Sequence, residues 1–442
     1  MLLTCMYMVS NNHMNFSGYQ SVLTNGKLNF SSKILVGISR LLMIGVSAYK
    51  LDFFERLLNF IRVVSLRICS ENINIDLNGP EKTDISLSEY ERRVIISLRE
   101  LLYQFNIIHQ KHGKFEFNVE YIGLLHTDTI VSITGSGKYS TGGIKNSRHQ
   151  QMIDDYHFIC DLIQRYNDPE YQFSHILKKQ TAWTELIRNN LLDYEIRLAE
   201  TLQNLVGLKI PYRIKSPFDE AYYTESGRNA FRNFTQYHFP EYLREITNGM
   251  NTFTVLDMGC GYGNYIGLIN DHFPDASIVG IEKNSIVAKN TEKRYSGIPN
   301  IQIVNDDFIE HDVDREVDVL LMNYVLFYFN YRDKLKILEK AKSVLSRNGS
   351  IVICQYFSGI EQLKNRIAKL EDNLTLTKRI EMYYSNKILY ANTLWNDTVD
   401  AFSESVKWNE FTAMLSDVGL YIKNMTAADK FYYSFFIEIK RD

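Results

Sequence analysis

Residues Thr254–Asn264 read T-V-L-D-M-G-C-G-Y-G-N, and this stretch decides the fold. The short apolar run that opens it ends in Asp257, three glycines follow at alternate positions, and an amphipathic segment begins at once. Glycines are needed where a strand turns straight into a helix, because a Cβ would clash there and backbone N–H groups can lie against a ligand. A nicotinamide-binding fingerprint, G-x-G-x-x-G, would require a third glycine where Asn264 stands, so the dinucleotide pattern fails.

Apolar runs and helical segments alternate after this stretch. The predicted elements are strands at Ser277–Ile281, Ile301–Val304, Val317–Met322 and Ile351–Cys354, a helix at Asp333–Leu345 and a turn at Arg347–Gly349. Such alternation predicts a parallel, doubly wound sheet whose ligand lies beyond the carboxyl ends of the strands. Glu282 directly follows the second strand, where a carboxylate can bind a ribose diol through two hydrogen bonds.

The composition bounds the class of protein. A chain of 442 residues is too long for one ordinary core, so two or three domains are expected. With 49 basic and 52 acidic residues the net charge is −3, which gives no broad cationic field for nucleic acid or anionic lipid. The five scattered cysteines form no C-x-x-C pair and the histidines show no metal-ligand spacing, so we expect a cytoplasmic protein without a metal site.

Three segments could be mistaken for functional signals. Residues 1–13 lack the features of a signal peptide and are expected to be a disordered start. The apolar stretch Ile34–Tyr49 is shorter than a bilayer span and contains Arg40, so it predicts a buried or dimer-forming helix rather than a membrane anchor. Gly135–Gly143 is rich in glycine, but Tyr139 follows its lysine where a phosphate loop needs Ser or Thr, so we expect a linker or a wing.

Residues 14–145 carry helical patterns followed by β-like segments. Apolar residues recur at helical spacing from Val94 to Phe105, behind the cap-like Ser88, and a polar hairpin containing glycine follows. A helix followed by such a hairpin is typical of a winged-helix module, which can bind DNA. The helix mixes acidic and basic residues, whereas a phosphate-facing helix is one-sidedly basic, so we predict a dimerising role and no nucleic acid.

An acid two residues before alternating glycines resembles the first motif of class I S-adenosylmethionine-dependent methyltransferases. The whole order of parts resembles the winged-helix small-molecule O-methyltransferase family. Val317–Phe329 lines up without a gap on the family's fourth-strand motif, and Trp408–Leu420 with Tyr432–Glu438 match its last helix and final hairpin strand. The resemblance implies an α/β fold, with a Rossmann-like doubly wound seven-stranded methyltransferase sheet and an N-terminal, mainly helical winged-helix/dimerisation domain.

The same resemblance implies a division of the chain and a homodimer. A winged-helix-like dimerisation domain would span residues 14–145 and a helical connector residues 146–215. The methyltransferase domain would span residues 216–442, with a helical lid inserted at 355–406.

The resemblance also implies S-adenosylmethionine as the cofactor. Glu282 would bind the ribose, Asp306 would accept the adenine amino group, and Phe308 or its neighbour would cover the adenine ring. The residues expected to bind the cofactor are Asp257, Gly259, Gly261, Glu282, Asp306, Asp307, Phe308 and Asn323.

One departure from the family concerns catalysis. Phe327 stands where the family has its catalytic histidine, Tyr328 where an aspartate adjoins it, and Asn323 where a basic residue is usual. A phenylalanine cannot take a proton. Three routes stay open: an acceptor that is already nucleophilic, an acidic phenol or enolised α-keto acid, or another base such as His238, Tyr328 or Glu225.

The acceptor site is expected to be aromatic. By resemblance its floor includes Tyr223, Arg228 and Phe231, with Phe327 and Tyr328 shaping the rest. Arg228 could bind a substrate carboxylate or form a surface ion pair. His238, near a helix end, has a structural as well as a catalytic interpretation.

The sequence therefore predicts an S-adenosylmethionine-dependent methyltransferase that acts on a small molecule in specialised metabolism, away from membranes. Two alternatives stay open. One is an enzyme that uses the same cofactor for non-methyl chemistry, either cyclisation or aminocarboxypropyl transfer. The other is a cofactor-sensing regulator that binds DNA through its winged helix.

Overall fold

A computed structural model of the chain describes residues 52–72, 75–81, 88–125, 147–168, 235–236, 238–250, 252–359, 376–428 and 434–442, with a few single positions between 170 and 205. These residues fall into two compact units, one up to residue 76 plus 101–209, the other 77–100 plus 210–442. The segments at 1–13, 34–49 and 135–143 lie outside the described residues. The predicted domain boundaries stay predictions.

The first unit contains helices and one hairpin. Its elements are α1 (residues 52–71), the end of α2 (Glu89–Gln104), β1 (Ile108–Lys111), β2 (Lys114–Phe117), α3 (Val119–Leu125) and α4 (Ser147–Asn167). A two-residue turn at His112–Gly113 joins β1 to β2, with φ angles of 50° and 76° that such tight hairpins require. Buried Asp155 of α4 accepts hydrogen bonds from Arg56 (2.8 Å) and Asn59 (2.7 Å) of α1. The helix and the hairpin were both predicted, whereas a winged-helix arrangement of them stays a prediction.

The second unit is built on a seven-stranded sheet. Its elements are α5 (Phe239–Ile246), β3 (Thr254–Met258), α6 (Asn264–His272), β4 (Ser277–Ile281), α7 (Ser285–Tyr295), β5 (Ile301–Val304), β6 (Val317–Asn323), α8 (Tyr331–Val344), β7 (Leu345–Cys354), α9 (Leu376–Thr398), α10 (Trp408–Asp417), β8 (Leu420–Ala427) and β9 (Phe435–Arg441). The strand order is β5-β4-β3-β6-β7-β9-β8, with the first five strands parallel and β9 antiparallel to its two neighbours. The predicted α/β fold with a mainly parallel sheet is confirmed.

One predicted element is wrong. The turn expected at Arg347–Gly349 is part of β7, which begins directly after α8. Leu345 pairs with Val317 while Ser350 pairs with Val319, so residues 346–349 form an irregularity within the strand. A polar Arg-Asn-Gly run signals a break in regular pairing, but it does not distinguish a bulge from a turn.

Alternate side chains of the central strands pack into two apolar layers. Val255 and Val319 lie in one layer with residues of α5 and α6. Leu256 and Leu320 lie in the other layer with residues of α8 and α10. Helices therefore cover both faces of the sheet. The chain leaves β3 towards β4 on one side and returns to β6 on the other, and a sheet of this topology forms its ligand crevice at such a switch, here the carboxyl ends of β3 and β6.

The segment between β7 and α10, predicted as a lid, is joined at its two ends. The Ser358 N–H donates to the Val406 carbonyl (3.1 Å), and Ser358 forms an isolated parallel bridge with Lys407. The segment contains α9, and residues 360–375 lie outside the described residues. Its role as a lid stays a prediction. In the described part of the chain, no helix is long and apolar enough to cross a bilayer.

Candidate functional site

The loop between β3 and α6 is shaped by close contacts that exclude a Cβ. Gly259 (φ 69°) lies so near Val325 that a Cβ would stand 2.5 Å from its Cγ2 atom, and Gly263 (φ 71°) lies equally near the Tyr295 ring. The N–H of Gly259 donates to the Ile281 carbonyl at 2.8 Å, which ties the loop to the end of β4. The alternating glycines are therefore needed for backbone conformation and for packing.

Three side chains of α7 hold the carbonyl groups of this loop. Thr291 Oγ1 donates to the Gly261 carbonyl (2.8 Å), Arg294 donates to the Tyr262 carbonyl (2.9 Å), and the Tyr295 hydroxyl donates to the Gly263 carbonyl. Since these carbonyls face α7, the loop has a fixed conformation at the start of α6. A positive helix end and ordered backbone groups are suited to a polar or anionic part of a ligand.

Glu282 stands directly after β4 and is 6% exposed. One carboxylate oxygen accepts the N–H of Gly261 (3.1 Å), and the other accepts the N–H of Asn284 (2.8 Å). Burial raises the pKa of Glu282, and these backbone hydrogen bonds partly oppose the rise. A carboxylate offers about four lone pairs, so each oxygen still has capacity for a ligand hydroxyl.

Asp257 is the buried acid of the site. It belongs to β3 and is 2% exposed, and its Oδ2 atom has no hydrogen-bond partner among the described residues. Burial, with the nearby charge of Glu282, raises the pKa of Asp257 to about 8. An acid without a partner in a folded core is costly, and a cationic ligand would offset that cost.

Two more buried polar side chains without hydrogen-bond partners, both amides, lie along the carboxyl edge of the sheet. Asn323 ends β6 and Gln355 follows β7. Both are buried, and neither the oxygen nor the nitrogen of either amide has a partner in the part of the chain that the structure describes. Because β3, β6 and β7 are neighbours, Asp257 and the two amides occupy successive strand ends beside the crevice. Native proteins leave few buried polar groups unpaired, so their clustering here indicates a ligand site.

The residues predicted to hold adenine follow β5. Asp306 is exposed and accepts hydrogen bonds from His311 Nδ1 (2.9 Å) and the Asp307 N–H (2.8 Å); the His311 hydrogen bond lowers the pKa of Asp306. Asp307 accepts from Lys283 (2.7 Å) and from the Ile309 N–H (3.0 Å). Both carboxylates thus lie at an accessible edge.

Phe308 occupies a different environment. It is 4% exposed and lies in the apolar layer that also contains Leu256 and Ile281. This burial does not favour the predicted stacking of Phe308 on adenine, because little of the ring is accessible to a ligand. The neighbouring Ile309 is half-buried against the same layer.

The position of the missing histidine is filled by packed aromatic side chains. The Phe327 ring is 2% exposed and lies 4.4 Å from the ring of Tyr328 and 4.7 Å from the ring of Phe402, centroid to centroid. Tyr328 is half-buried. No proton acceptor can therefore occupy the place of the Phe327 side chain.

Among the remaining predicted residues of the acceptor site, the structure describes His238 but not four others. His238 is the N-cap residue of α5, but its side chain makes no capping hydrogen bond. Burial lowers the pKa of its imidazole, and the charge of Glu241 acts in the opposite direction. Tyr223, Glu225, Arg228 and Phe231 lie outside the described residues.

Sequence reasoning missed a buried acid that anchors these aromatic side chains. Asp397 of α9 is 1% exposed and accepts hydrogen bonds from the Tyr356 hydroxyl (3.0 Å) and from Ser97 of α2. Burial raises the pKa of Asp397 to about 6, against the opposing influence of Arg93, Ser97 and Tyr356. The Tyr356 ring in turn contacts Phe402 at 5.9 Å.

Gln355 was also missed, although a signal for it existed. It is a polar residue directly after an apolar run that ends a strand, as Glu282 is after β4.

Nothing in the pattern around Asp397 distinguishes it from an acid on the exposed face of a helix. Among the described residues, no group of three or more His, Cys, Asp or Glu side chains could hold a metal ion.

The comparisons with known proteins find methyltransferases. Residues 250–419 match the model of a family described as "Methyltransferase domain". The "Putative methyltransferase 235L" of Invertebrate iridescent virus 6 is 27% identical over 101 residues, which are 23% of this chain and 36% of that protein. The "Trans-aconitate 2-methyltransferase" of Rhodopseudomonas palustris (strain BisB5) is 20% identical over 179 residues, covering 36% of this chain and 68% of the relative.

Solved structures resemble the chain at low identity. The O-methyltransferase family 2 protein from Planctomyces limnophilus DSM 3776, in complex with apigenin, is 12% identical, with a TM-score of 0.45 over 88% of this chain and 95% of that one.

Proposed function

We propose that the chain transfers a methyl group from its cofactor, S-adenosylmethionine, to a small-molecule acceptor, and the match of residues 250–419 to a methyltransferase-domain family supports this proposal. We place the reaction in specialised metabolism, in a cytoplasmic homodimer joined through the N-terminal domain. One observation carries the proposal: Asp257 Oδ2 and both polar atoms of the Asn323 side chain are buried without hydrogen-bond partners among the described residues, beside a glycine loop at the switch in strand order. A cationic, multiply polar ligand would satisfy them.

The residues fit the cofactor's chemistry. Bound S-adenosylmethionine supplies an electrophilic methyl group on a sulfonium, from which the leaving group departs neutral. Glu282 would accept the ribose hydroxyls, Asp257 would face the cationic end, and Asn323 would donate to or accept from its polar groups. Gly259 and Gly261 would bring the backbone close, and Asp306 with Asp307 would accept the adenine amino group. We keep Phe308 as a lesser candidate because its ring is buried in the core.

The reaction does not use a base at the position of Phe327. An acceptor that is nucleophilic at neutral pH needs no proton removed, and orientation in a dry site then supplies much of the acceleration. If the acceptor does carry a proton, His238 is the candidate base, since its lowered pKa leaves the imidazole neutral near pH 7. Tyr328 is a second candidate. Tyr223, Arg228 and Phe231, with Phe327 and Tyr328, would line the acceptor site.

Calorimetry with S-adenosylhomocysteine tests the cofactor, and product analysis tests the chemistry. We expect the purified chain to bind S-adenosylhomocysteine, and turnover to yield S-adenosylhomocysteine with a methylated acceptor. Failure to bind would refute the proposal. The appearance of methylthioadenosine would instead support cyclisation or aminocarboxypropyl transfer, which the absence of a base at Phe327 also accommodates. Salt-dependent binding to duplex DNA without turnover would support the regulator.

A further inference from the structure

Gln355 is a buried amide that the cofactor assignments leave unused. It is 2% exposed, and neither Oε1 nor Nε2 has a hydrogen-bond partner among the described residues. It follows β7, which lies two strands from the glycine loop of β3, or roughly 10 Å at the usual strand spacing. A buried amide without partners destabilises the folded chain, so its presence calls for a bound group that satisfies both atoms.

The chain on either side of Gln355 has a fixed position. Cys354 pairs with Asn323 of β6, and the Cys354 carbonyl accepts the N–H of Tyr324. On the other side, the Tyr356 hydroxyl is held by Asp397. Gln355 therefore sits between a strand end at the crevice and an aromatic residue linked to Phe402. Because the chain is held on both sides, the Gln355 amide has a fixed position from which it can recognise a small molecule.

We propose that Gln355 determines acceptor specificity by binding a neutral group that carries a hydrogen-bond donor and an acceptor side by side, such as a carboxamide, a lactam or a hydroxy-ketone. This inference rests on the proposed function and names the substrate class for that site. A primary amide pairs with such a group through two complementary hydrogen bonds. A carboxylate could accept from Nε2 but would leave Oε1 unsatisfied.

The test is Gln355→Met, which keeps the length of the side chain and removes both polar atoms. In the ligand-free protein, we expect the melting temperature to rise by a few degrees, because an unpaired buried amide is lost. The affinity for S-adenosylhomocysteine should stay within about twofold, since the cofactor does not use this residue. Gln110→Met, at an exposed position of β1, is the matched control and should change neither quantity.

Specificity is read from two pairs of fragments, benzamide with benzoate and salicylamide with salicylate. Ligand-observed NMR at millimolar concentration, with S-adenosylhomocysteine present, should show that wild type prefers the amides. Gln355→Met should reduce that preference by about 10-fold, the cost of losing a pair of hydrogen bonds. Preference of wild type for the carboxylates, absence of amide binding, or the same preference in the variant would overturn the inference.

The thermal measurement decides the point independently. If Gln355→Met lowers the melting temperature, a water molecule or a chain atom already satisfies the amide, and the inference fails. Failure of the proposed function looks different, because wild type would then not bind S-adenosylhomocysteine at all. A protein that binds S-adenosylhomocysteine but does not discriminate the fragments keeps the proposed function and loses the inference.

Discussion

Asp257 and Asp318 are carboxylates on neighbouring strands of one sheet, in opposite situations. Asp318, near the start of β6, accepts hydrogen bonds from the Thr254 N–H (2.9 Å), the Thr254 hydroxyl (2.9 Å) and Ser346 (2.8 Å). Burial acts to raise the pKa of Asp318, but these hydrogen bonds outweigh it and the pKa is lowered. Asp257, near the end of β3, has an oxygen without a partner among the described residues and a pKa raised to about 8. At the amino end of the sheet, both oxygens of Asp318 are hydrogen-bonded. At the carboxyl end, Asp257 keeps an oxygen that a ligand could use.

From this difference we infer that the two ends of the sheet have separate tasks. At the amino end, Asp318 joins β6 to Thr254 of β3 and Ser346 of β7, so it contributes to stability. At the carboxyl ends, Asp257 Oδ2 and the amides of Asn323 and Gln355 have no partners among the described residues, at a cost in stability that a ligand can offset. Substitutions at the carboxyl end should therefore change ligand affinity, and substitutions at the amino end should change stability.

Gly259→Ala should have the largest effect on the carboxyl end. The new Cβ would meet Val325 Cγ2 at 2.5 Å in a backbone conformation that already strains an L-residue. Strain and overpacking of about 1–3 kcal/mol each predict a loss of S-adenosylhomocysteine affinity of about 100-fold. Isothermal titration calorimetry measures it.

Gly261→Ala is the matched control for this substitution. Gly261 also has a positive φ, 52°, but nothing lies within 4 Å of its Cβ position. Without a clash against the protein, the loss should be smaller, about 10-fold. Equal losses in the two variants would show that contact with Val325 does not shape the site.

Glu282→Gln should weaken S-adenosylhomocysteine binding by about 10-fold or more. The amide keeps the shape of the side chain but replaces an accepting oxygen by a donor, and hydrogen bonds to a charged group contribute about 1.5–3 kcal/mol. Asp318→Asn makes the same change at the amino end. It should leave the affinity unchanged and lower the melting temperature. If Asp318→Asn weakened binding as much as Glu282→Gln, the separation of tasks between the two ends would be refuted.

The two aspartates should give stability profiles of opposite slope against pH. Between about pH 4 and pH 8 the unfolded chain loses the Asp257 proton while the folded chain keeps it, so Asp257 reduces stability as the pH rises. Asp257→Asn should therefore become more stable relative to wild type across that range. Asp318 has a lowered pKa, so its contribution is present above about pH 4 and disappears as the pH falls below it.

Thermal melts of the three proteins across this range measure these slopes. The stability that Asp318→Asn loses relative to wild type should be constant near neutral pH and should become smaller in acid. A deficit for Asp257→Asn that grows with pH would mean that Asp257 is ionised and paired in the folded chain, which contradicts the orphaned carboxyl.

Much of the carboxyl end could be predicted from sequence because its signals are local. Strands β4 and β5 have their predicted limits, and Asp257, Glu282 and Asn323 stand at strand ends as expected. The cap of α2 was equally local: Ser88 and Glu91 exchange hydrogen bonds at 3.2 and 2.8 Å.

Features that depend on contacts distant in sequence could not be predicted. Ser97 donates a hydrogen bond to Asp397, which lies 300 residues later, and no sequence spacing predicts that pair. The satisfied state of Asp318 likewise depends on Thr254 and Ser346, which belong to other strands. The burial of Phe308 follows from packing of the whole layer, so a motif that places an aromatic beside an acid cannot tell which way its ring turns.

Tyr295→Phe should have the smallest measurable effect. It tests whether the conformation of the loop between β3 and α6 is fixed before the ligand binds. The change removes the hydroxyl that donates to the Gly263 carbonyl but keeps the ring against the loop. Loss of one neutral hydrogen bond, about 0.5–1.5 kcal/mol, predicts a fall in S-adenosylhomocysteine affinity of about threefold to tenfold. Arg294→Lys, which alters an exposed contact with the Tyr262 carbonyl, is the control and should change the affinity less. If Tyr295→Phe lowers the melting temperature while the affinity is unchanged, the hydroxyl belongs with Asp318 among the stabilising contacts rather than with the ligand site. The affinity should fall instead, because a loop whose carbonyls are free to turn must be ordered again each time the ligand binds.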